Sequence, residues 1–528
     1  ADTVRARGRF TAIYREPQRE DRTHESRARV LSTVETLSKQ RSNAVLTSLA
    51  AVQLALWVAL AAHPATSDVR GVFGYLALIG LLFAAYGASL AWLAPTGRDS
   101  PDGATSSQAQ NNDSIRAVLA AALLFRLVQI LAGLPQEERW DAVQRDLSGT
   151  ETGYETFLLF DNDAWRYLWD GAVLAGGASP YAAPPLELES EYLELDEPRN
   201  EREELLFQLF EETLWVEIYD NLSFTAYRTV YGPAAQSFFA ASNSLRPGSM
   251  LVFKALLTAA EFAGCLLLLK LAARRRTFVL LAYSWNPLVI KEIAGSGHID
   301  GLLVTLLLGS VVALERGHGA VSGAFAALAT AVKISAAPLA AVLFVFAWTR
   351  SGRRAALRLA TAFAAGSLAL FAPYRDDLPA IFDALAVFAR EWMFNPGPWL
   401  AVRRLGEALG LDGWSVANGF GALCLAAALG TSALVARKTE GPAALFAALL
   451  ATTLSIVWFS ATVNPWYLVW SLPFAALLGW WPLIVLCCTS QLSYVFYLDQ
   501  IERIWLLVLE HGLFGLACAV WWLLERRR

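Results

Sequence analysis

Charge is scarce in this chain. Only 17% of its 528 residues are Asp, Glu, Lys or Arg, 55% are hydrophobic, and the mean hydropathy is +0.40. Soluble domains carry roughly a quarter charged residues, so the scarcity excludes an ordinary soluble protein. The apolar residues also gather in blocks of about membrane length. An excess of positive charge is missing as well. The net charge is −4, which argues against a nucleic-acid partner. Cysteine is rare: Cys265, Cys424, Cys487, Cys488 and Cys518 all fall in apolar blocks without metal-type spacing. Neither a disulfide framework nor a zinc site is expected of them. No signal peptide is expected either, because the residues before Ala44 are polar, Arg-rich and too long for the charged head of one. No internal repeat is evident, which gives little support to an inverted-repeat transporter.

The chain has apolar segments instead, fourteen of them, running from Ala44–Ala62 to Ile504–Leu524. They predict an all-α polytopic membrane protein of about 12–14 transmembrane helices. Basic clusters orient it. The N-terminal Arg5, Arg7, Arg9, Arg27, Arg29 and Arg41 should be cytoplasmic. Counting crossings then puts Arg274-Arg275-Arg276, Arg350 with Arg353-Arg354, Arg437-Lys438 and Arg526-Arg527-Arg528 on that side too. The same count sends the large loop 135–247, Gly295–Asp300, loop 373–413 and Asn464-Pro465-Trp466-Tyr467 outside. Three regions follow: a cytoplasmic polar tail 1–43, two additional N-terminal spans within 44–113, and a membrane domain 114–528 carrying the outer loop. Two segments, Val321–Ala331 and Ala336–Trp348, are too short to cross about 30 Å at 1.5 Å per residue. They predict a hairpin of short helices with Lys333 near its tip. In the acidic stretch Leu186–Glu217, the spacing of Leu205, Leu206, Leu209, Phe210 and Leu214 predicts an amphipathic helix over the outer surface.

Chemistry concentrates in two polar clusters at the outer ends of apolar segments. The first is Asp161-Asn162-Asp163 with Arg166 and Asp170, flanked by Trp165, Tyr167 and Trp169. One aspartate would serve as a helix cap. Several carboxylates, an arginine and three aromatics exceed that need and suit sugar recognition. The second is Gly295-Ser296-Gly297-His298-Ile299-Asp300, whose glycines let backbone approach a ligand. Lys333 is either a snorkelling side chain or a cation facing a buried phosphate. Arg126, Lys254, Glu261, Glu292, Glu510 and His511 lie in or beside spans, and pairing or interfacial placement accounts for them. Asn464, Trp466 and Tyr467 can be an aromatic belt or part of a site.

In order along the chain stand Asp163-x-x-Arg166-Tyr167-Leu168-Trp169-Asp170-Gly171, Ser179-Pro180-Tyr181, Tyr231-Gly232-Pro233, Trp285-Asn286-Pro287-Leu288, Gly297-His298-x-Asp300, Lys333…Pro338 and Asn464-Pro465-Trp466-Tyr467. From about Ile115 to the C-terminus this pattern resembles the bacterial polyprenyl-phosphate-sugar-dependent glycosyltransferases of the GT-C fold, the multispan mannosyltransferase-like group. Asp161-Asn162-Asp163 replaces the Ser-Asp-Asp usual in that group, and Tyr-Gly-Pro replaces Tyr-Pro-Pro. The first two spans and the acidic insert lie outside the shared pattern.

The resemblance implies a GT-C-like fold with a large first catalytic loop outside the cell membrane. It implies inverting transfer of a sugar, with mannose favoured, from polyprenyl phosphate to a lipid or glycan acceptor. Asp163 is then the first candidate base and Asp161 the second. Arg166, Asp170, Tyr231, His298, Asp300, Lys333, Asn464, Trp466 and Tyr467 are candidate substrate-binding residues, with His298 and Lys333 set against the donor phosphate. No cofactor is required. A divalent cation is compatible with these residues, but no ligand set forces one. A secondary transporter of a charged solute, a non-catalytic membrane scaffold, and transfer to protein stand as alternatives.

Overall fold

A computed structural model describes residues 44–64, 66–93, 106–135, 138–154, 159–273 and 275–527. The Arg-rich tail, Arg274 and Arg528, all used in the orientation argument, lie outside the described residues. The chain divides into a short unit, residues 1–51, and a large unit, residues 52–528. Everything below concerns the large unit unless a helix is named across both.

The all-α polytopic expectation is met. Among the described residues no strand forms beyond one parallel bridge, Phe394 with Thr462. Among the described residues seven helices are long and apolar enough to cross a membrane: Ala44–Ala61, Val69–Leu93, Met250–Leu271, Ile334–Ser351, Arg353–Tyr374, Gly413–Lys438 and Ile504–Glu525. An eighth crossing arises if Pro287–Gly295 and Asp300–Glu315 are one broken span, bent by 116°. Several of the fourteen apolar segments are shorter helices, such as Gly319–Val332, Pro442–Trp458 and Pro482–Leu498. Helices of that length are tolerated at membrane depth where they are buried in protein. The predicted hairpin at Lys333 is present, but only its first arm, Gly319–Val332, is short; turns at both ends of Ala337–Phe346 extend the second arm to Ile334–Ser351, which is long enough to cross. Gly319–Val332 ends at Lys333, which is extended, and a tight turn at Ile334–Ala336 starts the next helix.

Much of the buried charge is paired, and buried Lys254 donates to the Ala132 carbonyl instead. Arg126 grips Glu261 through two bonds of 2.6 and 3.0 Å and donates to the Ser284 carbonyl at 2.8 Å. This clamp joins the helices Ser106–Ile130, Met250–Leu271 and Arg276–Ser284. An arginine removed from water is tolerable only with such complete pairing. The N-terminus of Met250–Leu271 is capped by Ser249, while Asp146 accepts from the Met250 N–H at 2.9 Å and from the Ser249 hydroxyl. Carboxylate at a helix start satisfies its free donors and its dipole.

The N-terminal span Val69–Leu93 is built into the domain. Tyr75 donates to Gln491 at 2.5 Å, and Tyr86 donates to the Ala282 carbonyl at 2.6 Å. The acidic insert folds as three helices, Pro185–Tyr192, Glu201–Glu211 and Thr213–Asp220, the last two broken at Glu212. Leu205, Leu206, Leu209 and Leu214 are buried as their spacing predicted. Phe210 meets Trp169 with ring centroids 5.5 Å apart, which lays the insert over the helix Asp163–Ala175.

Candidate active site

The two polar clusters meet. His298 sits in the break between Pro287–Gly295 and Asp300–Glu315, and its Nε2 lies 3.1 Å from Asp161 Oδ1. The approach is off the line of a good hydrogen bond, so Nε2 keeps no aligned partner. Its Nδ1 lies 3.1 Å from the Glu292 carbonyl and 3.3 Å from the Glu292 carboxylate. Local backbone creates this placement. Ile290–Gly295 is a π-helical turn, a widening often found at functional sites, and Gly297 adopts φ +81°. A side chain there would be strained and would press toward Ala164 and Lys254.

Asp163 opens the helix Asp163–Ala175, and its N–H donates to Asp161 Oδ1 at 2.8 Å. The Tyr231 hydroxyl donates to Asp163 Oδ2 at 3.0 Å, and the Tyr167 hydroxyl lies 3.4 Å from the same oxygen. Asp163 Oδ1 remains for another partner. Tyr231 reaches this point because Gly232 lies against the Ala331 carbonyl, where a Cβ would come within 2.3 Å. The two aspartates are driven apart electrostatically. Burial raises Asp161, but the adjacent His298 charge, with help from the Asp163 N–H and Lys291, outweighs it and holds it below the usual range. Burial and the Asp161 charge push Asp163 up to about 6. One carboxylate is thus committed to its partner, and the other is a stronger base than an ordinary aspartate.

Trp466 stacks on His298, ring centroids 3.9 Å apart, with its indole N–H buried and without a hydrogen-bond partner. The tight turn Pro465–Trp470, which follows Asn464, carries it there. Beside this cluster Lys333 bonds both oxygens of buried Asp300 at 2.9 Å, and Trp470 donates to Asp300 at 2.6 Å. The Lys333 ammonium also lies over the rings of Tyr467 (4.7 Å), Trp470 (5.6 Å) and Tyr231 (5.8 Å). Arg166 and Asp170 stand behind the site. Arg166 bonds Asp170 at 2.7 Å and the Tyr227 carbonyl at 3.0 Å, while Gln236 donates to Asp170 at 2.9 Å. They brace the helix against the segment leading to Tyr231.

Sequence reasoning assigned no role to Glu292, yet it touches His298 and accepts from Tyr494 at 2.9 Å. Lys291, bonded to Glu292 at 3.0 Å and to Tyr494, completes a fully buried network. The signal was available. An adjacent Lys-Glu pair inside an apolar segment, six residues before a candidate histidine, is costly unless used.

Asp161, Asp163 and His298 each offer a ligand atom, all within 4.8 Å of one another. Two carboxylates, an imidazole nitrogen lacking an aligned partner, and a carboxylate behind that imidazole form a donor set that fits a divalent cation.

The fold and site define a helical, multi-pass membrane protein with a buried carboxylate–histidine centre at the break of a bent helix pair. Residues 156–350 are similar to a family described as Alpha-(1->6)-mannopyranosyltransferase, N-terminal domain. This similarity supports a mannosyltransferase activity in general terms. The matched stretch holds Asp161, Asp163, Arg166, Asp170, Tyr231, His298, Asp300 and Lys333, whereas Asn464, Trp466 and Tyr467 lie beyond it. No curated protein and no solved structure matches the chain.

Proposed function

We propose that the chain is an inverting glycosyltransferase that moves a hexose, with mannose favoured, from polyprenyl phosphate to a lipid or glycan acceptor. The observation that carries this reading is the pairing of Asp161 with His298 beside an Asp163 whose two tyrosine contacts both fall on Oδ2. In this reading the acceptor hydroxyl gives its proton to Asp163 Oδ1. Its oxygen attacks the anomeric carbon from the side opposite the phosphate. The carbon–oxygen bond to phosphate breaks, and polyprenyl phosphate leaves with the electron pair. An inverting transfer that makes an α linkage uses a β-linked donor. No covalent enzyme intermediate forms, so no activated serine or cysteine is needed. The unpaired Trp466 N–H and the ammonium of Lys333, whose side chain is 11% exposed, are donors placed for the departing phosphate. A divalent cation held by Asp161, Asp163 and His298 would supply further positive charge for that phosphate.

The orientation belongs to the same proposal: a cell-membrane protein, both termini cytoplasmic, the site on the extracytoplasmic side, and the prenyl tail in the bilayer. A transporter would place its carboxylates at paired broken helices near mid-membrane. Here Asp161 and Asp163 stand at the start of Asp163–Ala175, which is not among the candidate spans. The test is to incubate purified protein with labelled polyprenyl-phosphate hexoses and native lipid extract, with and without chelator. Transfer of one hexose supports the reading. Absence of transfer from every donor, with the protein folded and the cation supplied, refutes it.

A further inference from the structure

A cluster of aromatic rings stands open beside the site. Phe224 is 57% exposed and Tyr227 36% exposed, and both flank Trp392 with ring centroids 4.8 Å away. Phe388 backs Trp392 at 5.4 Å. The Tyr227 hydroxyl donates to the exposed Glu391 carboxylate at 3.0 Å. Phe224 holds φ +60°, an uncommon conformation for a bulky residue. A cluster of large rings left half in solvent calls for a partner.

Two chain segments join this cluster to the site. Tyr231, which bonds Asp163, is four positions on from Tyr227, so their Cα atoms are at most about 14 Å apart. Arg166, at the back of the site, holds the Tyr227 carbonyl at 3.0 Å, and Asn162 approaches the Asn221 carbonyl at 3.4 Å. From the other side, Thr462 donates to the Trp392 carbonyl at 3.1 Å, and Val463 donates to Phe394 at 2.9 Å. That chain continues directly to Trp466, stacked on His298.

We infer that Phe224, Tyr227, Trp392 and Glu391 form an acceptor subsite that binds the non-reacting sugar units of a saccharide. The inference rests on the glycosyltransferase reading and names the acceptor as a glycan several units long. Ring faces match the apolar C–H faces of hexoses. Glu391 and the tyrosine hydroxyl match their hydroxyl groups. A carboxylate at the rim disfavours a phosphate headgroup as the occupant. The separation from Tyr231, at most about 14 Å between Cα atoms, is within the reach of a short oligosaccharide whose terminal hydroxyl meets Asp163.

Direct binding to the full-length protein tests this without relying on turnover. The probes are α-(1→6)-linked mannotetraose and methyl α-mannoside, followed by saturation-transfer NMR and calorimetry. The tetraose should bind more tightly than the monosaccharide. Trp392→Ala and Tyr227→Ala should weaken tetraose binding by about tenfold or more, the usual cost of truncating an aromatic anchor. Trp392→Phe keeps a ring face and should retain most of the affinity, which guards against misfolding of the alanine variant. Phe382→Ala, at an exposed ring on the same helix, Leu378–Glu391, outside the cluster, should bind as wild type. Equal binding of the two probes to wild type would overturn the inference. So would a Trp392→Ala variant with full affinity, or an equal loss in Phe382→Ala, which would mark a lipid-facing surface. Asp163→Asn separates the two readings. If it transfers normally while tetraose binding depends on Trp392, the base assignment fails and the subsite stands.

Discussion

Replacing Asp163 by asparagine removes one basic oxygen and little else. The amide oxygen can still accept from Tyr231, now 3.0 Å from Oδ2, and from Tyr167 at 3.4 Å. The amide nitrogen then takes the place of Oδ1, turning the proton acceptor into a donor. The Asp161 bond to the residue 163 N–H, 2.8 Å long, is a backbone contact and survives. The substitution also relieves repulsion between two neighbouring carboxylates, so folding should not suffer. Removing a general base typically costs about 10²- to 10⁴-fold, which is roughly 2.7–5.4 kcal/mol of barrier at 1.36 kcal/mol per decade. The expected result is a fall of that size in kcat, with donor binding and the unfolding midpoint near wild type. Asp161→Asn should behave differently. It strips the buried His298 of its partner at 3.1 Å, and breaking a buried pair commonly costs about 3–5 kcal/mol of stability. Single-turnover transfer, donor binding and thermal unfolding on both variants make the comparison. An Asp163→Asn enzyme within tenfold of wild type would refute the base assignment. A stable, inactive Asp161→Asn beside an active Asp163→Asn would reverse the two roles.

Glu292→Gln leaves Lys291 without its carboxylate and weakens the hold on His298 Nδ1; it should lower kcat at least tenfold and destabilise the protein, measured by turnover and unfolding together. Lys333→Met strands buried Asp300, so it should lose about 3–5 kcal/mol and weaken donor use, while Lys333→Met with Asp300→Asn should recover stability but not donor use. Cysteines at the exposed positions Ser190 and Ser351 should react with an impermeant reagent from outside only at the former; the reverse pattern would invert the orientation. Chelation should lower transfer, and Mn²⁺ or Mg²⁺ should restore it in wild type but not in His298→Ala.

Periodicity and charge made much of this molecule legible. The hairpin turn at Lys333 followed from the two adjoining apolar segments, although its second arm is longer than they suggested, and the buried face of Glu201–Glu211 followed from leucine spacing. The convergence of Asp161, Asp163 and His298 followed only from placing both clusters at the same ends of their segments. Partners were less legible. Residue type leaves Lys333 as a snorkelling side chain or a cation facing phosphate, and neither reading contains its two short bonds to Asp300, more than thirty residues away in sequence. Glu292 was passed over because a charge in a span has a bland explanation in pairing. Its adjacency to His298 depends on the π-helical turn, which apolar periodicity does not reveal. Seven helices of spanning length among the described residues, with shorter apolar helices in several of the remaining segments, match the all-α polytopic architecture that hydropathy indicates.

Charge balance at the centre argues that these residues act as one unit. Asp161, Asp163, Glu292 and Asp300 supply four carboxylates, and Lys291, Lys333 and a protonated His298 supply three cations. The cluster is neutral while Asp163 carries a proton and is one negative charge over when it does not. Burial makes that last charge expensive, which is the physical reason Asp163 is pushed up to about 6. A donor phosphate adds negative charge to the same enclosure. The site therefore works either with a proton on Asp163, which silences it as a base, or with additional positive charge close by. The donor set of Asp161, Asp163 and His298 can hold such charge only with the imidazole neutral, so a divalent cation there would displace the His298 proton and add one positive charge net.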